Sequence, residues 1–352
     1  MKRILVYRIG SIGDNLVALP AFRAVRRAFP DAHICYLTNG ETPDPSKLIA
    51  RKLLPEGLFD EWIAYSSKGF FDTARLLREL RKKKFDAVFY LMTRNRSPLR
   101  IKRDVLFFRL AGIRRIFGVR HVSEKYLTMK PSRPLQTVET ELEFLLECVL
   151  SENLNLSPAE TFKPDLELTV EERLKAEKWL EKNFGSEWRA KKFIAVMASS
   201  NWESKNWAEE NFVETVLRLI EETDVYPIVF GGPSEREQGN RFLEKWRRGA
   251  NAAGELGLRG DGALLEKCSL YLGTDTGTMH LAGSVGTCCV AVFAATDYPG
   301  RWTPYGEGHR IFRESVECEG CYAPVCFNEN KCLNLVPVEK VFDACRRILE
   351  ND

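Results

Sequence analysis

The chain has 352 residues, 44% hydrophobic and 29% charged, a balance that supports packed cores and excludes collagen-like, low-complexity and disordered chains. Its length suits two domains of about 150 residues each, and no apolar run approaches the roughly 18 residues that span a bilayer. Net charge is only +3, yet Arg75 to Arg120 holds fifteen Lys/Arg against Glu79, Asp86 and Asp104, a local +12 that leaves the remainder at −9. Such asymmetry predicts an anionic partner for the first half, or, for Arg81 to Lys84 above all, a solvated basic helix face.

The opening Met1-Lys2-Arg3-Ile4-Leu5-Val6-Tyr7-Arg8 reads as a buried strand rather than a signal peptide. Strands are predicted at Arg3–Tyr7, His33–Leu37 and Asp86–Leu91, and helices at Asp14–Phe29, Phe71–Lys83 and Val138–Leu150. Asn155–Leu168, with Pro158 and Pro164, reads as a linker. A second series follows, with strands at Phe193–Ala198, Tyr226–Phe230, Leu270–Gly273 and Cys289–Phe293. Its helices are Val170–Phe184, Ala208–Glu221, Ser234–Arg247 and Gly277–Val285, and Val338–Leu349 closes the chain behind Pro337. Alternation of this kind predicts an α/β protein of two similar halves with a cleft between them. The expected division is residues 1–160, residues 161–335, and a terminal segment 336–352 whose helix packs back on the first domain.

Three strand-to-helix edges carry chemistry. The first is Arg8-Ile9-Gly10-Ser11-Ile12-Gly13-Asp14, where two glycines permit a tight turn and close approach of a ligand. It lacks the G-x-G-x-x-G dinucleotide fingerprint, and places Asp14 at a helix start, as an N-terminal cap or as a general base. The second, Ser199-Ser200-Asn201-Trp202-Glu203-Ser204-Lys205, offers hydroxyls, an amide and one compact cation, a set that suits phosphate. The bland alternative makes Ser200 or Asn201 a cap and Lys205 a surface charge. The third, Gly273-Thr274-Asp275-Thr276-Gly277-Thr278-Met279-His280, opens a helix whose free N–H groups suit an anion. His280 sits one turn inside, within reach of the same ligand or satisfied in the core. Between the last two, Glu235 in Phe230-Gly231-Gly232-Pro233-Ser234-Glu235 either accepts two ribose hydroxyls or stabilises a helix start.

Ten cysteines with no secretory signal predict reduced thiols and a cytoplasmic protein. Six are scattered as core residues. Cys318, Cys321, Cys326 and Cys332 crowd into fifteen residues and present four soft ligands suited to structural zinc or iron. Free thiols and disulfides are the alternatives.

With these motifs on the page, the chain resembles glycosyltransferase family 9, the ADP-heptose:lipopolysaccharide heptosyltransferases. The similarity lies in R-I-G-S-I-G-D-N-L-V-A-L-P-A-F-R, S-K-N-W-A-E-E-N-F, F-G-G-P-S-E, G-T-D-T-G-T-M-H-L-A-G-S-V-G and T-D-Y-P-G-R-W-T-P-Y-G, in order from residue 4 to about 306. Gly10-Ser11 and Thr278 depart from the family's usual Ser-Ser and Pro. The resemblance implies a GT-B fold and an inverting transfer without a catalytic metal, from an ADP-sugar to a lipopolysaccharide core or related envelope glycan. Protein as acceptor, or a nucleotide-sugar enzyme that is not a transferase, are the alternatives. Carried over by motif, Asp14 would take the acceptor proton and Lys205 would neutralise the leaving diphosphate. Ser200, Asn201, Asp275, Thr276, Gly277 and His280 would line the donor site, with Glu235 on its ribose. Gly10, Ser11 and Gly13, with Arg94 and Arg96 from a basic loop, would meet an anionic glycolipid or glycan. Some relatives that glycosylate proteins hold iron in a cysteine-rich tail. The implied setting is the cytoplasm, with peripheral contact at the inner membrane. An oxidoreductase or epimerase lacks the expected fingerprint and Tyr-x3-Lys pair, and a nucleic-acid binder would leave Asp14, Lys205 and the D-T-G turn unused.

Overall fold

In β1 (Arg3–Tyr7) the last four residues are buried in succession, as a parallel strand covered on both faces requires. The computed structural model describes residues 1–40, 44, 48–65, 70–128, 133–154, 156 and 162–351. β1, β2 (His33–Asn39), β3 (Glu61–Tyr65), β4 (Ala87–Tyr90) and β5 (Arg115–Phe117) form a parallel sheet in the order β3-β2-β1-β4-β5. β1 pairs with β2 from Arg3↔His33 to Tyr7↔Leu37 and with β4 from Ile4↔Ala87 to Tyr7↔Tyr90. The winding direction reverses at β1, so the Arg8–Gly13 turn stands at the switch point where α/β sheets bind ligands.

The second sheet contains β6 (Phe193–Met197), β7 (Tyr226–Val229), β8 (Ala250–Asn251), β9 (Leu270–Thr274), β10 (Cys288–Val292) and β11 (Arg310–Phe312). They are all parallel, in the order β11-β10-β9-β6-β7-β8. Here the reversal falls between β6 and β9, neighbours paired from Ile194↔Leu270 to Met197↔Gly273. Gly273 permits this contact, since a Cβ there would lie 2.5 Å from the Met197 carbonyl. The Ser199–Lys205 and Asp275–His280 segments therefore leave adjacent strands side by side.

Two units emerge: Met1–Pro131 with Glu139–Asp165, and Ser132–Val138 with Leu166–Asp352. Segment 133–138 is held in the second unit, where the Leu135 N–H donates to Glu319 at 3.0 Å and the Val138 N–H to the Pro299 carbonyl at 2.9 Å. Part of the expected linker, 155 and 157–161, lies outside the described residues. The closing helix is Val338–Glu350. Its apolar side, Val341, Phe342, Cys345 and Leu349, is buried in the second unit's core with Phe212, Val216 and Leu219 of the Glu209–Thr223 helix. That side belongs to the second unit's core.

The strands unforeseen in the sequence are mostly edges, and β5, β8 and β11 have only two or three residues, too few for a periodic pattern. A larger correction concerns the basic loop expected after Leu91, which carries Arg94 and Arg96: from Pro98 to Leu110 the chain is a helix. Ser97 precedes it, Pro98 occupies its first turn, and Ile101, Asp104 and Phe108 turn inward.

Asp261, in the Gly257–Leu265 helix, makes a separate energetic point. Burial pushes its carboxyl up to about 7 against a weak opposing pull from Lys175, and Oδ1 has no hydrogen-bond partner among the described residues. Because the folded state holds this proton more tightly than the unfolded chain, stability is fullest below about pH 4. It declines as the pH rises towards 7. Asp261→Asn is expected to raise the melting temperature at pH 8 and to do little at pH 4. At about 1.4 kcal/mol per pKa unit, the gain is of order 2–4 kcal/mol. Parallel melting curves at the two pH values check this, and an equal effect at both would remove the titration argument.

Candidate functional site

In the first unit, the turn after β1 is built around one carboxylate. The helix Ile12–Ala28 starts behind Ser11, and Asp14 folds back so that its Oδ2 accepts from the Ser11 N–H at 2.9 Å and the Ser11 hydroxyl at 3.2 Å. Its Oδ1 meets Arg8 Nη2 at 3.2 Å. Arg8 is fully buried and also donates to the backbone carbonyls of Asp14 and Leu91. Asp14 lies directly over Gly10, where a Cβ would come within 2.1 Å of the Asp14 Cβ, so only glycine fits. Asn39 Oδ1 accepts from the Gly10 N–H at 2.9 Å, and Gly13 is buried in the first helical turn. The arrangement thus includes the cap, yet the Asp14 side chain remains about a quarter exposed, at 23%. An ionised carboxylate offers about four acceptor positions, and the three side-chain contacts leave room for a hydroxyl proton.

Arg94 and Arg96 correct the expected basic loop. Arg94 is buried under the Glu141–Leu150 helix, 3.4 Å from Glu139 Oε1 and 3.6 Å from Glu141 Oε2, with its guanidinium 4.4 Å over the Phe144 ring. Arg96 donates through Nε to Asp104 Oδ2 at 3.1 Å, and Tyr90 donates to the same oxygen at 2.8 Å. Both cations hold the unit's interior together; neither stands on an exposed loop. Sequence spacing could not show this, because Glu139 and Glu141 are distant along the chain.

In the second unit, Lys205 Nζ lies 2.6 Å from Asp275 Oδ2, joining the loop after β6 to the loop after β9. Burial alone would lower the lysine's pKa, but Asp275, with Asp297 and Tyr322 behind it, holds it above its ordinary value. Its charge is therefore permanent at neutral pH. Lys205 also stands 5.3 Å from the centre of the Trp202 ring. Ser200 is fixed by its N–H to Asn206 Oδ1 at 2.7 Å and by its hydroxyl accepting from the Trp202 N–H at 3.2 Å, while Asn201 is exposed. Thr276 precedes the Gly277–Ser284 helix in extended conformation, its hydroxyl 3.3 Å from the Tyr271 hydroxyl. His280 is buried on that helix with its ring 6.0 Å from Trp302. Glu235 folds over its own turn, accepting from the Gly232 N–H and the Ser234 hydroxyl, both at 2.7 Å. One acceptor position or more remains on each of its oxygens.

Several residues of these motifs take roles that the sequence alone does not assign. Ser199, at the end of β6, keeps a buried hydroxyl with no hydrogen-bond partner among the described residues. Asn206 fixes the Ser200 backbone. Asp297 holds Arg301 and the Trp302 indole, each at 3.0 Å through Oδ2, and so sets the ring beside His280.

The cysteine segment lies against the lysine loop. Among the described residues no group of three or more His, Cys, Asp or Glu is placed to hold a metal ion. The four thiols nonetheless stand near one another: behind burial, Cys318 and Cys326 help to push the Cys321 and Cys332 thiols up. Cys332 is absorbed into the second unit's core and accepts from the Ala295 N–H at 3.4 Å, while Cys326 accepts from the N–H groups of Asn328 and Asn330 at 3.3 Å. All four are free thiols. The segment braces the lysine loop: the Ser204 N–H donates to the Pro324 carbonyl at 3.1 Å, and Tyr322 packs edge-on against Trp202 at 4.8 Å.

These two switch-point sites on two Rossmann-like sheets define a GT-B protein, a class that also comprises the solved heptosyltransferases. The sequence model of glycosyltransferase family 9 (heptosyltransferase) matches residues 73–332, and the chain belongs to that family. It is a glycosyltransferase. A Haemophilus influenzae protein assigned as a glycosyltransferase is 22% identical over 312 residues, 87% of each chain. A glycosyltransferase family 9 structure from Veillonella parvula superposes with a TM-score of 0.72 at 20% identity, covering 100% of this chain and 98% of that one. The ADP-heptose lipopolysaccharide heptosyltransferase II of Escherichia coli does so with 0.67 at 19% identity, covering 100% and 99%.

Proposed function

We propose that the protein transfers heptose from ADP-heptose to a lipopolysaccharide core or a related envelope glycan, with inversion and without a catalytic metal. The observation that carries the reading is the Lys205–Asp275 pair, set beside the Thr276–Gly277 helix start. Departure of ADP leaves negative charge on the diphosphate. A permanent ammonium and oriented N–H groups supply the stabilisation that a metal would otherwise give. Family membership and the E. coli relative's ADP-heptose specificity support the choice of donor.

In this mechanism an acceptor hydroxyl oxygen attacks the anomeric carbon as the bond from that carbon to the diphosphate oxygen breaks. Asp14 takes the hydroxyl proton, and Arg8 holds its carboxylate in place. The electron pair of the broken bond stays on the diphosphate oxygen, and the Lys205 ammonium stabilises the charge there. Ser199, Ser200 and Asn201 add neutral donors, and Thr276 and Gly277 add backbone N–H groups. Glu235 accepts from the ribose hydroxyls, while His280 and Asp275 stand nearest the sugar and diphosphate. Gly10, Ser11 and Gly13 shape the acceptor side. The implied setting is the cytoplasmic face of the inner membrane.

Thermal stabilisation by ADP, UDP and GDP, each alone and as a sugar conjugate, tests the donor. ADP-heptose is expected to give the largest shift, because saturation at a hundredfold excess over Kd adds about 2.7 kcal/mol. A larger shift with UDP or GDP conjugates would overturn the assignment, and a product retaining the donor's anomeric configuration would overturn the single displacement.

A further inference from the structure

The Pro98–Leu110 helix has a surface that neither its own unit nor the transfer chemistry uses. Ile101, Asp104 and Phe108 are its buried residues. At about 100° per residue they mark the inward side, and the opposite side is centred on leucines. Leu99, Leu106 and Leu110 fall within about 40° of arc there, and they are 80%, 58% and 49% exposed. Lys102 and Arg109 border this stripe on one flank, Arg103 and Arg100 on the other, all exposed. An ordinary surface helix turns its apolar stripe to the core and its charges outward; this one carries a second apolar stripe outward, with cations on both sides.

The helix's single acid offsets only Arg103 among the flanking cations. Asp104 is buried and engaged by Tyr90, Arg96 and Arg103. The neighbouring Phe70–Lys83 helix adds exposed Arg75, Arg78, Arg81 and Lys82. Arg81 Nε donates to the Leu110 carbonyl at 2.6 Å, so the two basic surfaces adjoin.

We propose that this helix docks the first unit on an anionic phospholipid bilayer. Leu99, Leu106 and Leu110 enter the boundary between headgroups and acyl chains, and Arg100, Lys102 and Arg109 reach sideways to lipid phosphates. A planar anionic surface complements cations on both flanks of an apolar stripe, and their long stems let the charges stay in the headgroup layer. The inference rests on the proposed lipid-linked acceptor: docking would confine the enzyme to the surface that holds it and raise its effective concentration there.

The test is co-sedimentation of the full-length protein with phosphatidylethanolamine–phosphatidylglycerol vesicles and with phosphatidylcholine vesicles. Binding is expected to the anionic vesicles and to fall with added salt. The triple variant Leu99→Ser, Leu106→Ser, Leu110→Ser should lose about tenfold or more in partitioning. Its melting temperature and ADP affinity should match wild type, because the three side chains are exposed. Arg100→Gln with Lys102→Gln and Arg109→Gln should abolish the preference for anionic lipid. The proposal is overturned if the wild type stays in the supernatant with anionic vesicles at low salt, or if the leucine variant binds them equally well. It is also overturned if sedimentation velocity shows that the leucines only hold a dimer and lipid binding is nil. Protein that binds ADP but not vesicles sinks the docking alone; protein that binds vesicles but not ADP sinks the transfer reading alone.

Discussion

Asp14→Asn is expected to lower the transfer rate by about 10²- to 10⁴-fold, the usual contribution of a positioned general base, while ADP binds within a few fold of wild type. The amide keeps the shape of the side chain over Gly10 and can still accept from Ser11, but it cannot take a proton. The same substitution deprives the buried Arg8 of its anionic partner. Some loss of melting temperature is therefore expected too, since a buried charge left without its counterion is costly. The rate is best measured well below the transition, with calorimetric ADP binding as the control for folding. A cap alone would show the opposite pattern, lower stability with near-normal turnover, and that outcome would remove Asp14 from the chemistry.

Much of this architecture is legible because the core strands are local signals. The runs ending at Tyr7, Met197 and Thr274 are buried on both faces, so their apolar continuity survives in the sequence, and the Gly-rich or hydroxyl-rich turns after them mark the sheet edges. The Thr169–Glu172 capping box likewise announces the Val170–Phe184 helix at its true start. What the sequence conceals is pairing at a distance. Arg94 reads as a loop cation until Glu139 and Glu141 arrive at the start of a later helix, and the spacing of four clustered cysteines does not show that the core takes in Cys332. The closing helix is amphipathic from either viewpoint; only the position of the Glu209–Thr223 helix decides which surface it covers. The Lys205–Asp275 pair spans seventy positions, and its consequence follows from the adjacency of β6 and β9 rather than from either motif alone.

That pairing makes the sharper prediction for the donor. Lys205→Ala should weaken ADP by roughly 10- to 150-fold, the equivalent of about 1.5–3 kcal/mol for a charge-assisted contact, and leave adenosine unchanged. Part of this loss is indirect. Without the ammonium, the Asp275 carboxylate, only 11% exposed, faces the incoming diphosphate with no cation between them, and like charges repel. Removing that charge as well should recover affinity, so Lys205→Ala with Asp275→Asn is expected to bind ADP more tightly than Lys205→Ala alone. Neighbouring charges seldom act additively, and the double-mutant cycle isolates their coupling. Calorimetry with ADP and adenosine on the wild type, both single variants and the double supplies every corner of it. Losses that simply add would mean that the two residues do not share the diphosphate site. Equal losses for ADP and adenosine would mean that the lysine acts through the fold of its loop, braced by Ser204 and Tyr322, rather than through phosphate.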